Sequence, residues 1–312
     1  MSAGGLVLVD KPAGPSSHDV VARVRRAARS RRVGHAGTLD PFATGLLVVA
    51  VGPVTRLLPY VHGEPKVYEA TVQFGWETDT DDATGQVSRE APPPEVSVLR
   101  EPQHPVRLAA EATLTGPILQ VPPAFSAKHV DGARAYDLAR RGRDVELPAV
   151  PVVVHQWTWL GASNDGDTAH QLRVRIACGG GTYIRALARD LGRALGSAAH
   201  CATLRRVQSG AAYVSEAVPW DALEPGSIAD GYVALQPAEP RLLPELAREP
   251  LTAEGLDALR FGRAVPATQT GAKAVLMQGH EVRAIAERVN DRWQPRVVLP
   301  ADTDELPAKD SP

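Results

Sequence analysis

The chain has 312 residues, of which 44% are hydrophobic and 22% charged, and its formal net charge is −2 at pH 7. This composition excludes a chain that cannot bury a core, and the length favours one large and one small domain. The two cysteines, Cys178 and Cys201, are too few for a disulfide framework, and neither stands in a Cys-x-x-Cys pair that would support a zinc site. We therefore expect no metal and, because no cofactor-binding motif is present, no cofactor.

The sequence contains no candidate membrane or export segment near its start. Residues 1–14 have neither a basic region nor a long apolar core, so no signal peptide is predicted. The apolar run at residues 46–51 is too short to cross a bilayer. We expect a cytoplasmic protein without membrane contact, and a monomer, since no coiled-coil pattern or exposed apolar stripe is evident.

The charge is unevenly distributed. Residues 1–215 contain 24 Lys+Arg against 20 Asp+Glu, whereas residues 216–312 contain 10 against 16. Six arginines crowd into residues 23–32, and arginine is well suited to contact phosphates. This cluster is either a phosphate-contacting surface or a solvated helix face, and an arginine excess can also reflect genomic composition.

The first predicted elements surround a glycine-rich loop. Residues 5–10 are typical of a short buried strand, and Ser16 or Ser17 is placed to cap a helix with apolar residues at helical spacing. The loop at residues 34–45 then leads into the run at residues 46–51, which predicts a strand buried on both faces.

The middle of the chain alternates strands with polar turns. Residues 66–74 alternate apolar and polar side chains, which places Tyr68 on the buried face. In the acidic turn at residues 78–85, the adjacent acids within residues 79–82 are expected to be solvated or to bind nothing. Two further strands are predicted at about residues 151–160 and 171–178.

A helix is predicted to follow Thr182 and to extend to about Leu195, with an apolar stripe made of Ile184, Leu187, Ala188, Leu191 and Leu195. Its arginines Arg185, Arg189 and Arg193 are four residues apart, so we expect them to form a second basic stripe.

The end of the chain has a different composition. Residues 219–244 are acidic and rich in proline, which is typical of a linker or a domain boundary. Residues 245–302 predict a small β-rich domain, and residues 303–312 a disordered tail. The sequence thus predicts a catalytic domain at 1–235 and a second domain at 245–302.

The loop at residues 34–45 is the strongest candidate for chemistry. Its three glycines allow close approach of another molecule, but no Gly-Lys-Ser/Thr follows that would make it a phosphate-binding P-loop. An aspartate before a proline, like Asp40, more often caps a turn than acts in catalysis, and His35 alone is more often incidental. No second acid in a comparable setting, no Ser/His/Asp arrangement and no metal-ligand spacing is present.

Five blocks in this order resemble the TruB family of tRNA pseudouridine synthases. They are residues 5–12 (GLVLVDKP) with 16–19 (SSHD), 34–45 (GHAGTLDPFATG), Tyr68 with 78–80 (TDT), 134–142 preceded by Pro122 and 126–127 (SA), and 181–185 (GTYIR) with 204–206 (LRR). The C-terminal part resembles the small RNA-binding β-barrel called PUA. The resemblance implies an α+β fold with a mixed, largely antiparallel sheet and flanking helices, followed by this barrel.

The resemblance also implies an activity and its residues. The family isomerises the T-loop uridine at position 55 of tRNA, by breaking the C1′–N1 bond, rotating the uracil and rejoining it through C5. Asp40 corresponds to the essential aspartate, which either attacks the ribose or removes a proton from it. Arg185 would pair with Asp40, and Tyr68 would stack on the uracil and help remove the C5 proton. Tyr183 and Leu204 would line the base pocket, and His35 would brace the altered T-loop.

Some positions and two alternatives remain open. Lys11 and Lys66 could contact RNA or be structural, and His129 stands where the family has a lysine, which could alter a phosphate contact. A guide-RNA-dependent pseudouridine synthase would act with protein partners. An RNA-binding module with vestigial catalytic residues would bind tRNA without isomerising it. We expect a stand-alone enzyme that binds the tRNA T-arm without an obligate protein partner.

Overall fold

The computed structural model describes residues 4–61, 63–125, 129–130, 133–134, 147–163 and 171–300. The chain forms two compact units. Unit 1 comprises residues 1–41, 45–63 and 210–312, and unit 2 comprises residues 42–44 and 64–209. The domain bounds 1–235 and 245–302 stay a prediction, and the predicted tail at 303–312 lies outside the described residues. Within the described part of the chain, no helix is long and apolar enough to span a membrane.

The described secondary structure is mostly strand. In chain order the strands are β1 (Gly5–Lys11), β2 (Val33–Ala36), β3 (Thr44–Val51), β4 (Lys66–Phe74), β5 (Trp76–Thr78), β6 (Val87–Glu90), β7 (Gly116–Gln120), β8 (His129–Val130), β9 (Ala133–Arg134), β10 (Val150–Ser163), β11 (Gln171–Cys178), β12 (Ala199–Ser209), β13 (Ala212–Tyr213), β14 (Val218–Pro219), β15 (Ala247–Pro250), β16 (Val265–Pro266), β17 (Lys273–Gln278), β18 (Glu281–Val289) and β19 (Arg292–Val298). The described α-helices are α1 (Ser17–Ala28), α2 (Val96–Arg100), α3 (Pro105–Thr113), α4 (Ile184–Ala194) and α5 (Ala253–Arg260).

In unit 1, strand β1 lies between β14, which runs parallel to it, and β3, which runs antiparallel. Strand β2 also pairs antiparallel with β3. The apolar run of β3 is buried on both faces, as predicted. Leu46, Val48 and Ala50 pack in one core cluster, and alternate residues such as Leu47 and Val49 pack in a second. A continuous apolar run is required here because water reaches neither face of the strand.

Helix α1 is defined by its caps and its apolar face. The side chain of Ser16 accepts a hydrogen bond from the amide of Asp19, whose carboxylate accepts from the Ser16 amide in return. Val20, Val24 and other apolar residues of the same face are fully buried in the second core cluster of unit 1. The helix ends at Arg29, which adopts a left-handed conformation with φ 47°.

The segment at residues 219–244 is not an exposed linker. Leu223, Ile228 and Val233 are buried in the same core cluster as the apolar face of α1. Gln236 exchanges two backbone hydrogen bonds with Leu6, of 2.7 and 2.8 Å. The linker alternative is therefore wrong, because the prolines and acidic residues mark turns of this segment while its scattered apolar residues pack in the core of unit 1. The domain boundary stays a prediction.

The C-terminal part of unit 1 is a five-stranded sheet in the order β15-β17-β18-β19-β16, which fits the predicted PUA-like domain. Trp293 is fully buried, and its indole N–H donates to the carboxylate of Glu249 over 2.7 Å. The same carboxylate accepts from the amides of Thr268 and Gln269 and from the Thr268 hydroxyl. Four donors therefore stabilise the negative charge of a side chain that is only 2% exposed.

In unit 2, five strands form an antiparallel sheet in the order β12-β4-β11-β10-β7. Every second residue of β4, beginning at Tyr68, is buried, which confirms the face predicted from the alternation. Helix α4 buries Ile184, Leu187 and Leu191, the predicted apolar stripe. Together with the sheets of unit 1, this arrangement confirms the predicted α+β class with a mixed, largely antiparallel pairing.

Candidate active site

The loop that carries Asp40 is held on both sides of this residue. The Ser17 hydroxyl donates to the Leu39 carbonyl over 3.0 Å and accepts from the Leu39 amide over 2.8 Å. On the other side, the Gly14 amide donates to the Pro41 carbonyl over 2.8 Å. Because the backbone is fixed immediately before and after Asp40, the half-buried carboxylate projects from a rigid support.

Lys11 also supports this loop. Its side chain is fully buried, and its ammonium group donates to the carbonyls of Pro12, Pro15 and Pro41 over 2.9, 2.8 and 3.1 Å. Three backbone acceptors occupy all three N–H bonds of the ammonium. Lys11 is therefore structural, which decides between the two alternatives that the sequence left open.

His35 lies at the end of β2, ahead of the same loop. Its ring packs edge-on against that of His18 in α1, with centroids 5.8 Å apart and planes at 85°. His35 is half-buried and His18 is exposed. Unit 1 thus places His35 and Asp40 on one connected, braced segment.

In unit 2, Tyr68 and Leu204 share one face of the sheet. Tyr68 lies opposite Ile176 of β11 and Arg206 of β12, and Leu204 lies opposite Ala70, two residues along from Tyr68. Residues directly opposite one another in a sheet project from the same face. Tyr68 is 7% exposed and Leu204 6%, so a tyrosine and a leucine are held rigidly beside the buried Arg206.

The start of α4 is fixed by a buried glutamine. The Gln120 side chain donates to the Tyr183 carbonyl over 3.0 Å and accepts from the Tyr183 amide over 2.8 Å. Gln120 is fully buried at the end of β7. The two bonds determine where the backbone of Tyr183 lies and where the next turn, with Arg185, begins.

Arg185 is buried, with 4% of its surface exposed. Its guanidinium donates to the carbonyls of Thr80 and Phe125 over 2.7 and 3.0 Å, and lies 3.4 Å from a carboxylate oxygen of Asp82. Asp82 in turn accepts from Thr80 and from Thr84, within the same turn. The acidic turn is therefore a support for Arg185, and the expectation that it is solvated was wrong for Asp82.

The other arginines of α4 are also paired. Arg189 is bound to Asp81 over 2.8 Å and donates to the Val121 carbonyl. Arg193 is half exposed and is bound to Glu77 over 2.7 Å. The prediction of a second basic stripe was therefore wrong. The fold brings the acidic residues of the segment 77–82 against α4, where they compensate the charges of its arginines.

Burial and pairing shift the pKa values of two of these acids in opposite directions. Burial opposes ionisation of Glu77, but hydrogen bonds from Arg193 and Arg89 outweigh it and lower the pKa of its carboxyl. For Asp81, burial dominates over the opposing charges of Arg189 and Arg185 and raises the pKa to about 6.

Lys66 lies two residues before Tyr68, on the same face of β4. Burial, and secondarily the positive charge of Arg206, lowers the pKa of its ammonium, while Glu64 opposes the shift. The two roles that the sequence allows for Lys66, structural or in contact with RNA, both stay predictions. His129 lies in β8, and its side chain is outside the described part of the protein.

Three supporting residues were not identified from the sequence: Gln120, Arg206 and Asp82. A single glutamine at the end of an apolar strand carries no signal of its own. For Arg206 the alternation of β12 was a usable signal, since it places this residue on the same side as Leu204. Among the described residues, no group of three or more His, Cys, Asp or Glu side chains is placed to hold a metal ion.

Comparisons with known proteins agree with the predicted resemblance. The family described as "TruB family pseudouridylate synthase (N terminal domain)" matches residues 25–184. The chain is 43% identical to the tRNA pseudouridine synthase B of Thermobifida fusca (strain YX), over 95% of this chain and 99% of that protein. It is 48% identical to the tRNA pseudouridine synthase B of Leifsonia xyli subsp. xyli (strain CTCB07), over 73% of this chain and 74% of that one.

Solved structures show the same fold at low identity. A chain of a Cbf5–Nop10–Gar1 complex aligns with a TM-score of 0.68 and 22% identity, covering 94% of this chain and 84% of that one. A chain of an H/ACA RNP bound to a substrate RNA containing 2′-deoxyuridine aligns with a TM-score of 0.69 and 20% identity, covering 96% and 86%. Family match, full-length relatives and fold agree, and the chain belongs to the TruB family of pseudouridylate synthases.

Proposed function

We propose that this pseudouridylate synthase converts the T-loop uridine at position 55 of tRNA to pseudouridine, as a stand-alone cytoplasmic enzyme and a monomer. The substrate class follows from relatives that carry the name tRNA pseudouridine synthase B and align over almost the whole chain. The observation that carries the assignment of the site is the loop of Asp40, whose neighbours Leu39 and Pro41 are both held by buried side chains.

Asp40 is the catalytic carboxylate in this proposal. The C1′–N1 bond of the uridine breaks as Asp40 either attacks the ribose or removes a proton from it, and the freed uracil rotates. A C1′–C5 bond then forms, as the bond between Asp40 and the ribose breaks or the proton taken by Asp40 returns to the ribose. The C5 proton leaves with the help of Tyr68, and N1 gains a proton. The product is an isomer of the substrate, so the reaction requires neither an oxidant nor a cofactor.

The remaining residues bind and orient the base. The uridine must leave its stack before C5 becomes accessible, which costs a few kcal/mol. Tyr68 stacks on the uracil, and Tyr183 and Leu204 line its pocket. Tyr68 and Leu204 are buried and Tyr183 is half-buried, which supports this role, because side chains held in place offset part of the cost of extrusion.

Arg185 pairs with Asp40 and orients it in this proposal. A guanidinium that already donates to two carbonyls and lies beside Asp82 is fixed in orientation, which supports this positioning role. His35, packed against His18, braces the T-loop where the uridine has left its place.

The test is release of tritium from a T-arm hairpin labelled at C5 of the target uridine, with wild type and Asp40→Asn. Asparagine keeps the shape of the side chain and removes its charge. We expect release by wild type and none by the variant, with the hairpin bound by both. Binding without release by wild type would leave an RNA-binding module with vestigial catalytic residues, and release only in the presence of added protein partners would favour the guide-RNA-dependent class.

A further inference from the structure

Five exposed arginines surround the C-terminal end of α1, within unit 1. They are Arg25, Arg26, Arg29, Arg31 and Arg32, and we call them the arginine surface. Arg29 is the C-cap of the helix, and Arg31 and Arg32 lie in the turn that leads to β2. The Arg25 guanidinium reaches the first carbonyl of β2, at Val33, over 3.3 Å, so the helix end and the turn form one continuous area.

A loop from the C-terminal part of unit 1 is docked on this helix end. The amide of Gly226 donates to the Arg26 carbonyl, and the amides of Ile228 and Ala229 donate to that of Ala27. Arg29 is bound to Asp230 through two bonds of 2.8 and 3.0 Å. These contacts fix residues 226–230 beside the arginine surface.

The same loop carries an exposed aromatic residue close in sequence to Asp230, the partner of Arg29. Tyr232, two residues after Asp230, is 86% exposed, and the loop closes behind it through a bond from the Val233 amide to the Ser227 carbonyl. A ring this exposed contributes nothing to the core, whereas a ring beside arginines provides a surface on which an unpaired base can stack. Exposed phosphate donors and a stacking surface therefore occur together.

The charge of the area favours an anionic polymer. Residues 23–32 contain six arginines, against three acidic residues in 220–232, whereas the whole chain has a net charge of −2. Asp230 is already used in pairing with Arg29, and the side chains of Arg31 and Arg32 project from a turn whose backbone is fixed by bonds to Val33 and Gly52. Arginine forks suit phosphate oxygens, and arginines interleaved with an aromatic ring are typical of surfaces that bind single-stranded nucleic acid.

The position of the area separates it from the catalytic loop. Ser17, at the first turn of α1, contacts Leu39 next to Asp40, and the arginine surface lies at the opposite end of this 12-residue helix. At about 1.5 Å per residue, that is roughly 18 Å away. A polynucleotide strand covers this distance in about five nucleotides.

We propose that the arginine surface and Tyr232 form a second RNA-binding site, which holds the phosphates and one unpaired base of the substrate RNA several nucleotides from the reacting uridine. This proposal rests on the proposed function in that the RNA is taken to be tRNA.

The test measures how the affinity for an unmodified tRNA transcript depends on salt. In the double variant Arg31→Gln/Arg32→Gln, we expect the slope of log affinity against log salt to decrease by about 1.4 to 1.8, because two phosphate contacts are lost. The affinity loss between about 50 and 200 mM salt then becomes roughly tenfold smaller than in wild type. We expect KM to rise, and kcat at saturating tRNA to stay at the wild-type value.

Matched variants separate this effect from a general one. Arg173→Gln removes an exposed arginine of β11 and is expected to leave the slope unchanged. Tyr232→Ala is expected to weaken binding about tenfold, and Tyr232→Phe, which keeps the ring, to bind like wild type.

An unchanged slope in Arg31→Gln/Arg32→Gln would overturn the proposal, as would equal affinities of Tyr232→Ala and wild type. Loss of binding to anionic phosphatidylserine vesicles with an unchanged tRNA slope would assign the surface to a membrane instead. The proposed function fails separately, if wild type binds the transcript but forms no pseudouridine.

Discussion

Ser17→Ala tests whether the support beneath Asp40 is needed for catalysis. The substitution removes one hydroxyl and leaves the amide and the carbonyl of Leu39, which is 3% exposed, without this partner. A buried polar group that loses its partner costs about 1–3 kcal/mol, so the two groups together should lower the free energy of unfolding by about 2–6 kcal/mol. Because alanine also fits the buried site of Ser17 without strain, we expect a value near the lower end.

We also expect an effect on activity. Leu39 precedes Asp40 directly, and displacement of a catalytic group by about 1 Å can lower the rate roughly 100-fold. We expect a fall of this size in single-turnover tritium release at saturating T-arm hairpin, with little change in hairpin affinity. Urea denaturation at the assay temperature must show that the variant remains folded.

Ser227→Ala is the matched control. Ser227 is also buried, but its hydroxyl has no hydrogen-bond partner among the described residues, so its removal should change neither stability nor rate. A wild-type single-turnover rate in Ser17→Ala would refute the role of the two Ser17–Leu39 hydrogen bonds in positioning Asp40. Equal losses in both serine variants would show that the effect is a general one of core substitution.

Three further predictions concern other buried polar groups. Gln120→Leu removes both hydrogen bonds between this side chain and the backbone of Tyr183, so we expect a loss of about 1–3 kcal/mol in urea denaturation and slower single turnover. Unchanged turnover would contradict the positioning of α4 by Gln120. The pKa of Glu77 is lowered below its ordinary 4.5, so its ionised form stabilises the fold above that pH, and this contribution is lost on acidification. Glu77→Gln should therefore lose less stability than wild type between neutral and acidic pH. An equal loss in the two proteins would refute this prediction. Glu249→Gln weakens the four hydrogen bonds to this carboxylate. The fluorescence emission of the buried Trp293 should therefore shift to the red at a lower urea concentration than in wild type. An unchanged midpoint of urea unfolding would show that the charge of Glu249 is dispensable.

Local sequence patterns predicted the elements of this protein correctly where one face or one run is buried. The alternation of residues 66–74 placed Tyr68 on the buried face, and the apolar run of β3 predicted a strand covered on both sides. The apolar stripe of α4 and the cap of α1 at Ser16 could likewise be predicted, because each depends on residues that are close together in the sequence. The motif around Asp40 carried the family resemblance, although no physical property of that loop alone singles out the aspartate.

Pairing between distant residues was not readable in this way. Arg185 and Thr80 are 105 positions apart, and whether α4 presents a basic stripe to solvent or meets an acidic turn depends on how the strands between them are ordered. Composition misled in the same manner for residues 219–244, whose prolines mark turns while Leu223 and Ile228 fill a core.

The sequence by itself thus determined the family, the candidate aspartate and the buried faces, because these depend on the order and periodicity of neighbouring residues. Only the tertiary structure decided what the charged side chains do. Lys11 supports the loop of Asp40 and Arg185 is held by Thr80, Phe125 and Asp82, since burial requires each cation to find acceptors, and those acceptors come from wherever the fold brings them.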